Sequence, residues 1–451
     1  MNKKYLYILW IGIVAASAGF VVIKFKNKNN AEAAAGYPLL PRKNELQKNA
    51  EWNFAKQNID NLMAKIKVDK NDTKSMVALA NAYIAESRIS GNTAYYDKAA
   101  MRTVDKVLSI DANNFEALTL KSLLFLSQHH FAEGLSTAET AQKIGPGNAF
   151  IYGLLVDGNV EMGNYTAALD AADKMVSLRP DIRSYSRIAY LREIHGDYDG
   201  AAEAMHRAVI AGAAGQESTE WCRVQLGKLY ENMGQKEKAR FEYQLSLAAR
   251  PGYANALAGL GRIATFEKKY DSAVIFYRQA DSAINDYSIK ENLAMLYRRS
   301  GKNQASETLY KNLISEMSSN AKVENSDVGI GHYADREMAY VYLHSNDYDK
   351  ALEHAKAEYE RRPKNIDVNE TMAWVYYKKQ DYTNAQTYIE PALATNSKNP
   401  VLLCTAGLIF FKTGDKEKAK TFLQTGLKNN PVMPEDIKTE AEQALQQLLK
   451  A

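Results

Sequence analysis

The residues able to carry chemistry are seven histidines, two cysteines and many carboxylates. His129, His130, His195, His206, His332, His344 and His354 form no HExxH, and none stands at ligand spacing from a cysteine, so a metal site has no local signature. His129 and His130 fall where one helix gives way to the next and read as solvent-exposed turn residues. Cys222 and Cys404 are widely separated, which excludes a disulfide framework and a CxxC knuckle and suits small buried side chains. GLGRIA at 259–264 lies inside a helical pattern, so its glycines serve packing and do not cradle a phosphate. Glu353, Glu358 and Glu360 alternate with Lys356, Arg361 and Arg362, as on a solvated helix face. No nucleophile, base or cofactor cradle assembles from this set. The expectation is a protein that is not an enzyme and has no cofactor and no metal.

The elements that would position any site are helices. Ten prolines in 451 residues, with abundant Ala, Leu, Lys and Tyr, favour helix throughout, and the length exceeds one ordinary core. A net charge of +4 without a basic block gives no case for nucleic acid. Residues 254–285 hold the pattern in its plainest form. Leu257, Leu260, Gly261 and Ala264 share one helical face, and after the turn Ala273, Tyr277 and Ala280 share another, so two short helices pack against each other. Such a pair cannot bury its apolar face alone and needs neighbours of its own kind. Similar units start at Thr73, Phe115, Ala149, Ile182, Glu220, Ala254, Tyr287, His332, Ile366 and Pro400, mostly 33 or 34 residues apart.

Ala80, Ser122, Ala189, Gly227, Gly261, Ala294, Ala339, Ala373 and Gly407 occupy the small position of the first helix, and only Val156 departs. The second helix has its small residue in every unit, from Ala100 and Gly134 to Ala385 and Ala419. With closing prolines at 146, 180, 251, 363 and 431, residues 73–431 resemble the tetratricopeptide repeat (TPR) family. The resemblance implies an all-α, right-handed superhelical solenoid of about ten helix-turn-helix units whose first helices line a concave groove. Glu435–Lys450 reads as a C-terminal capping helix within 432–451, and 44–72 as an N-terminal one. Three places break the period: Arg88–Tyr95 predicts a protruding loop, Ala214–Thr219 a small joint, and 319–331 either a bulge in a continuous array or a hinge.

Carried onto this chain, the family's groove positions include Val77 and Asn81, Thr119 and Leu123, then Ala258 and Arg262. Arg336, Tyr340, Trp374 and Tyr377 would set a guanidinium and three rings on one wall, a composition common in binding hot spots. Trp221 with Arg262 forms a second candidate patch. The same rings could instead pack against adjacent helices.

Before the array, Tyr5–Ile23 is an uncharged run of 19 residues flanked by lysines within residues 1–28, and about 29 Å of helix just spans a bilayer. It reads as a membrane anchor, with signal cleavage near Ala18 as the alternative, and 29–43 as a polar linker. The combined expectation is a membrane-tethered scaffold outside the cytoplasm that binds a partner protein or extended peptide. A carbohydrate-binding or uptake accessory protein, and an accessory factor in envelope biogenesis, are the alternatives.

Overall fold

The computed structural model describes residues 37–48, 50–325 and 331–450; Tyr5–Ile23, most of the linker and residues 326–330 lie outside them. Among the described residues there are α-helices, one 3-10 turn at Asn44–Gln47 and no strands. None of these helices is long and apolar enough to cross a membrane. The architecture is an all-α superhelical solenoid of ten helix pairs of the TPR type.

The first helix of each unit begins where the sequence places it, except that unit 5 starts at Glu217 and unit 8 at Asp335. The packing follows the small residues. A Cβ on Gly261 would stand 2.9 Å from the Tyr277 ring, itself 1% exposed, so glycine here lets the two axes of unit 6 approach. Ala273 is fully buried at this contact, as are Ala80, Ala100, Ala168, Ala239, Ala339 and Ala385 in other units. Ala50–Val68 covers the first unit through Trp52, Ile59 and Leu62, and Glu435–Lys450 covers the last through Ile437, Ala441 and Ala444. Cys222 and Cys404 are buried free thiols, as expected.

Two interruptions differ from expectation. No loop protrudes at Arg88–Tyr95: Thr73–Ser90 and Thr93–Ile110 are each 18 residues long, and the extra residues lengthen both helices around a turn at Gly91. Glycine at φ 71° ends the first helix in the left-handed form and lets the second restart at once. Part of the expected bulge is also helix, because Asn303–Asn325 runs on to 23 residues. The end of the linker is docked as well. Tyr83 and Tyr95 donate to the Tyr37 and Pro38 carbonyls at 2.7 and 2.8 Å, and Arg42, 2% exposed, bonds Glu86 at 2.5 and 3.0 Å.

The coil closes on itself. The inner turn of unit 1, at Gly91, meets Asn285 before unit 7. That of unit 2 meets residues 331–333 before unit 8, and that of unit 3 meets residues 362–366 before unit 9. Gly196 of unit 4 meets Asn396 before unit 10, and Gly234 of unit 5 meets Asn429 after it. Each turn of the superhelix therefore holds six units, and the second turn stacks on the first. At unit 3 the Asn365 amide donates to the Val160 and Glu161 carbonyls at 3.3 and 3.1 Å, and Arg362 pairs with Glu161 and lies 4.3 Å over the Phe131 ring. These are helix-end carbonyls, which need partners from outside the helix. The second turn supplies them.

Candidate functional site: the inner wall of the coil

Closure turns the concave groove into the wall of a tube. Tyr190 is 38% exposed, yet burial heads the causes that hold its hydroxyl well above its ordinary value. A side chain that faces water inside a narrow space surrounded by protein behaves this way. The same applies to Glu161, Glu193 and Glu370, each pushed up to about 7, with burial the first cause in all three. Asp367 also raises Glu370, while Arg336 opposes the shift. Lys228 moves down through burial and then the neighbouring Arg262 charge.

The wall near units 8 and 9 differs from the sequence reading. Trp374 is 6% and Tyr377 5% exposed, their rings stacked 5.0 Å apart. The Tyr377 hydroxyl donates to Glu440, so the C-terminal helix covers this end of the wall. These two rings belong to the core and offer no stacking platform, which removes the geometric basis of the carbohydrate reading. Arg336 and Tyr340 do stay on the inner wall, half-buried, with the guanidinium 5.6 Å from the ring and donating to Thr371 Oγ1 at 3.2 Å. Arg262 is committed to Glu231 at 3.0 Å and to the Tyr243 hydroxyl at 3.1 Å, tying unit 6 to unit 5. Trp221 packs against the buried cluster around Cys222 and does not join Arg262 in a patch.

An open cavity of about 950 Å³ lies farther toward the N-terminus, on the wall of units 1 to 5. Val77, Asn81, Thr119 and Leu123, four of the groove positions, line it together with Phe115 and Phe150. Its cations are mostly matched: Arg187 grips Asp157 at 2.6 and 2.8 Å, and Arg88 meets Glu217 at 3.0 Å. Arg183 instead lies 4.6 Å over the Phe150 ring, while Asp181 beside it is taken by Arg179 at 3.1 Å. Burial lowers Arg183 from its ordinary value, opposed by Asp181 and reinforced by Arg187, Arg179 and Arg88. The lining sets Leu123, Phe115 and Phe150 beside Arg183, with Glu116 and Glu217 also on the wall. It suits an extended chain bearing an apolar group and a carboxylate. Sequence reasoning named the groove positions but passed over Arg183 and Phe150, which lie one element apart and meet only through stacking of units 3 and 4.

Histidines behave differently from expectation too. His130 is 7% exposed and bonds the Gly331 carbonyl, and His129 is half-buried against His332 across the seam between turns. Neither is a solvated turn residue.

The fold and wall define a solenoid of the kind used as an interaction scaffold. A sequence model described as tetratricopeptide repeat matches residues 222–253, 254–287 and 401–432, which are units 5, 6 and 10. No curated protein matches the chain. Among solved structures it is similar to a tetratricopeptide repeat protein from Parabacteroides merdae, at 18% identity over 53% of this chain and 99% of that one, with a TM-score of 0.40. It is also similar to human IFIT1, solved as a dimer with PPP-AAAA, at 14% identity over 75% of this chain and 78% of that one, with a TM-score of 0.47. A third is the thermophilic TPR protein TTC0263 of Thermus thermophilus, at 17% identity over 45% and 99%, with a TM-score of 0.37.

Proposed function

We propose that this chain is a membrane-tethered, extracytoplasmic scaffold that holds an extended segment of a partner protein against the inner wall of units 1 to 5. The supporting observation is the cavity lined by Leu123, Phe115 and Phe150 with Arg183 at its rim. A partner segment would lay an apolar side chain on Leu123 and Phe115 and bring a carboxylate to Arg183. With a net charge of +4, long-range steering is weak and recognition rests on contact inside the tube. The tether rests on the uncharged run Tyr5–Ile23 and its flanking lysines.

A photo-crosslinking side chain at position 123 tests the binding face, with position 275 on the outer surface as control, Ile275 being 57% exposed. The expected result is a discrete adduct from position 123 only, reduced at least tenfold by Arg183→Glu, as for loss of a charged hot-spot contact. Equal adducts from both positions, or no effect of Arg183→Glu, would sink the reading. Carbonate extraction and sequencing of the mature N-terminus test the tether. An intact Met1 in the membrane fraction is expected, and a soluble chain beginning at Gly19 contradicts it.

A further inference from the structure

The seam between superhelical turns gathers three metal-ligating side chains that are far apart in sequence. His129 lies in the inner turn of unit 2, and His332 and Glu337 lie at the entry to unit 8. One donor atom from each stands within 4.8 Å of the others. The backbone holds them there: Tyr333 N donates to the Gln128 carbonyl at 3.1 Å, and the ring of His130 bonds the Gly331 carbonyl. His129 Nδ1 is 2.9 Å from the Tyr333 carbonyl. A carbonyl only accepts, so Nδ1 carries the proton and Nε2 keeps a lone pair, the arrangement that orients a ligating imidazole. The His332 ring is held by the Ser127 backbone, 4.2 Å from the His129 ring.

Glu337 completes the set. Its Oε1 is 3.8 Å from His129 Nδ1, and its Oε2 is shielded from water without a hydrogen-bond donor. A shielded carboxylate oxygen with no donor is costly, and His129 and His332 each bring a ring nitrogen within 4.8 Å of this carboxylate. A cation between them satisfies all three.

We propose that His129, His332 and Glu337 bind one divalent transition metal, with zinc the best match, which clips the second turn of the superhelix to the first. Two imidazole nitrogens and one carboxylate oxygen suit zinc, whereas calcium and magnesium take six or more oxygens or keep their waters. Ligand atoms around tetrahedral zinc stand about 3.3 Å apart, so the three must draw together slightly. Glu337, with 42% of its side chain exposed, is free to make that rotation. Water takes the fourth position, and the role is structural.

The test is zinc titration of the chelator-stripped, full-length protein against a chromophoric competitor. One zinc per chain is expected. His332→Gln and Glu337→Gln should each weaken it at least tenfold, and His206→Gln, on an exposed helix face, should not. Zinc should also raise the Tm of the wild type and leave that of Glu337→Gln unchanged. Circular dichroism checks folding. Should His332→Gln fail to fold, Glu337→Gln, at a half-exposed position, carries the comparison. No stoichiometric binding at about 10 µM zinc, equal affinity in Glu337→Gln and wild type, or displacement by calcium overturns the proposal.

Discussion

Glu370 sits on the inner wall with its carboxyl pushed up to about 7, by burial first and Asp367 second. Its folded-state value is above the ordinary 4.5, so between these limits the unfolded chain loses the proton first. The stability linked to the protonated group is fully present below about pH 4.5 and is lost as the pH rises through about 7. Glu161 and Glu193 act in the same direction. Glu370→Gln should therefore stabilise the protein at pH 8 by roughly 1–3 kcal/mol and leave it unchanged at pH 4.5. Urea unfolding at both values measures this, and an equal gain at both would show that the effect is not one of ionisation. Nothing in the sequence foretold these shifts. Glu161, Glu193 and Glu370 look like any carboxylate on a helix face until the coil closes round them.

Within a helix pair, the sequence was far more legible. Gly261 and Ala273 mark the close contact of unit 6, and the structure puts the Tyr277 ring where a Cβ on Gly261 would stand. Gly261→Val should cost about 1–3 kcal/mol through overpacking, because the ring has nowhere to go. Denaturant midpoints read the change, and a variant as stable as wild type would mean that the pair can part without loss. The helix starts given by the repeat period are fixed locally by caps that the period does not show: Asn114, Asn148, Asn365 and Asn399 accept from backbone amides in the first turns of the helices they precede. Trp374 was misplaced because its position faces the groove in an open array, and Tyr377 was placed there with it; both are buried. The C-terminal helix, through Glu440, converts that stretch of wall into core.

At the scale of the molecule, the seam is the feature the sequence concealed. Its contacts join residues about 200 positions apart, such as Glu161 and Arg362, and sit in turns, where no hydrophobic period marks them. Arg362, with 6% of its side chain exposed, also bonds Glu358 at 2.5 Å. Arg362→Ala takes from Glu161 its partner across the seam and leaves Glu358 with Arg361 alone, and should cost about 1–3 kcal/mol. It should also open the seam, giving a larger radius of gyration in X-ray scattering at unchanged helix content. An unchanged radius with a loss under about 1 kcal/mol would mean that the turns do not depend on this pair. Gly163, at φ 76°, belongs to the same seam. A Cβ there would stand 2.5 Å from the Lys364 backbone, so Gly163→Ala combines backbone strain with a collision and should lose about 1–3 kcal/mol in the same unfolding assay.

Six units per turn also fixes how such a chain can change length. An open repeat array gains or loses whole units with little penalty, since each contacts only its neighbours. Here a unit removed from the first turn would shift the phase of everything after it, setting Gly163 against the wrong connection and parting His129 from His332. The copy number of this array is held by its register, as the tooth count of a gear is held by the wheel it meshes with.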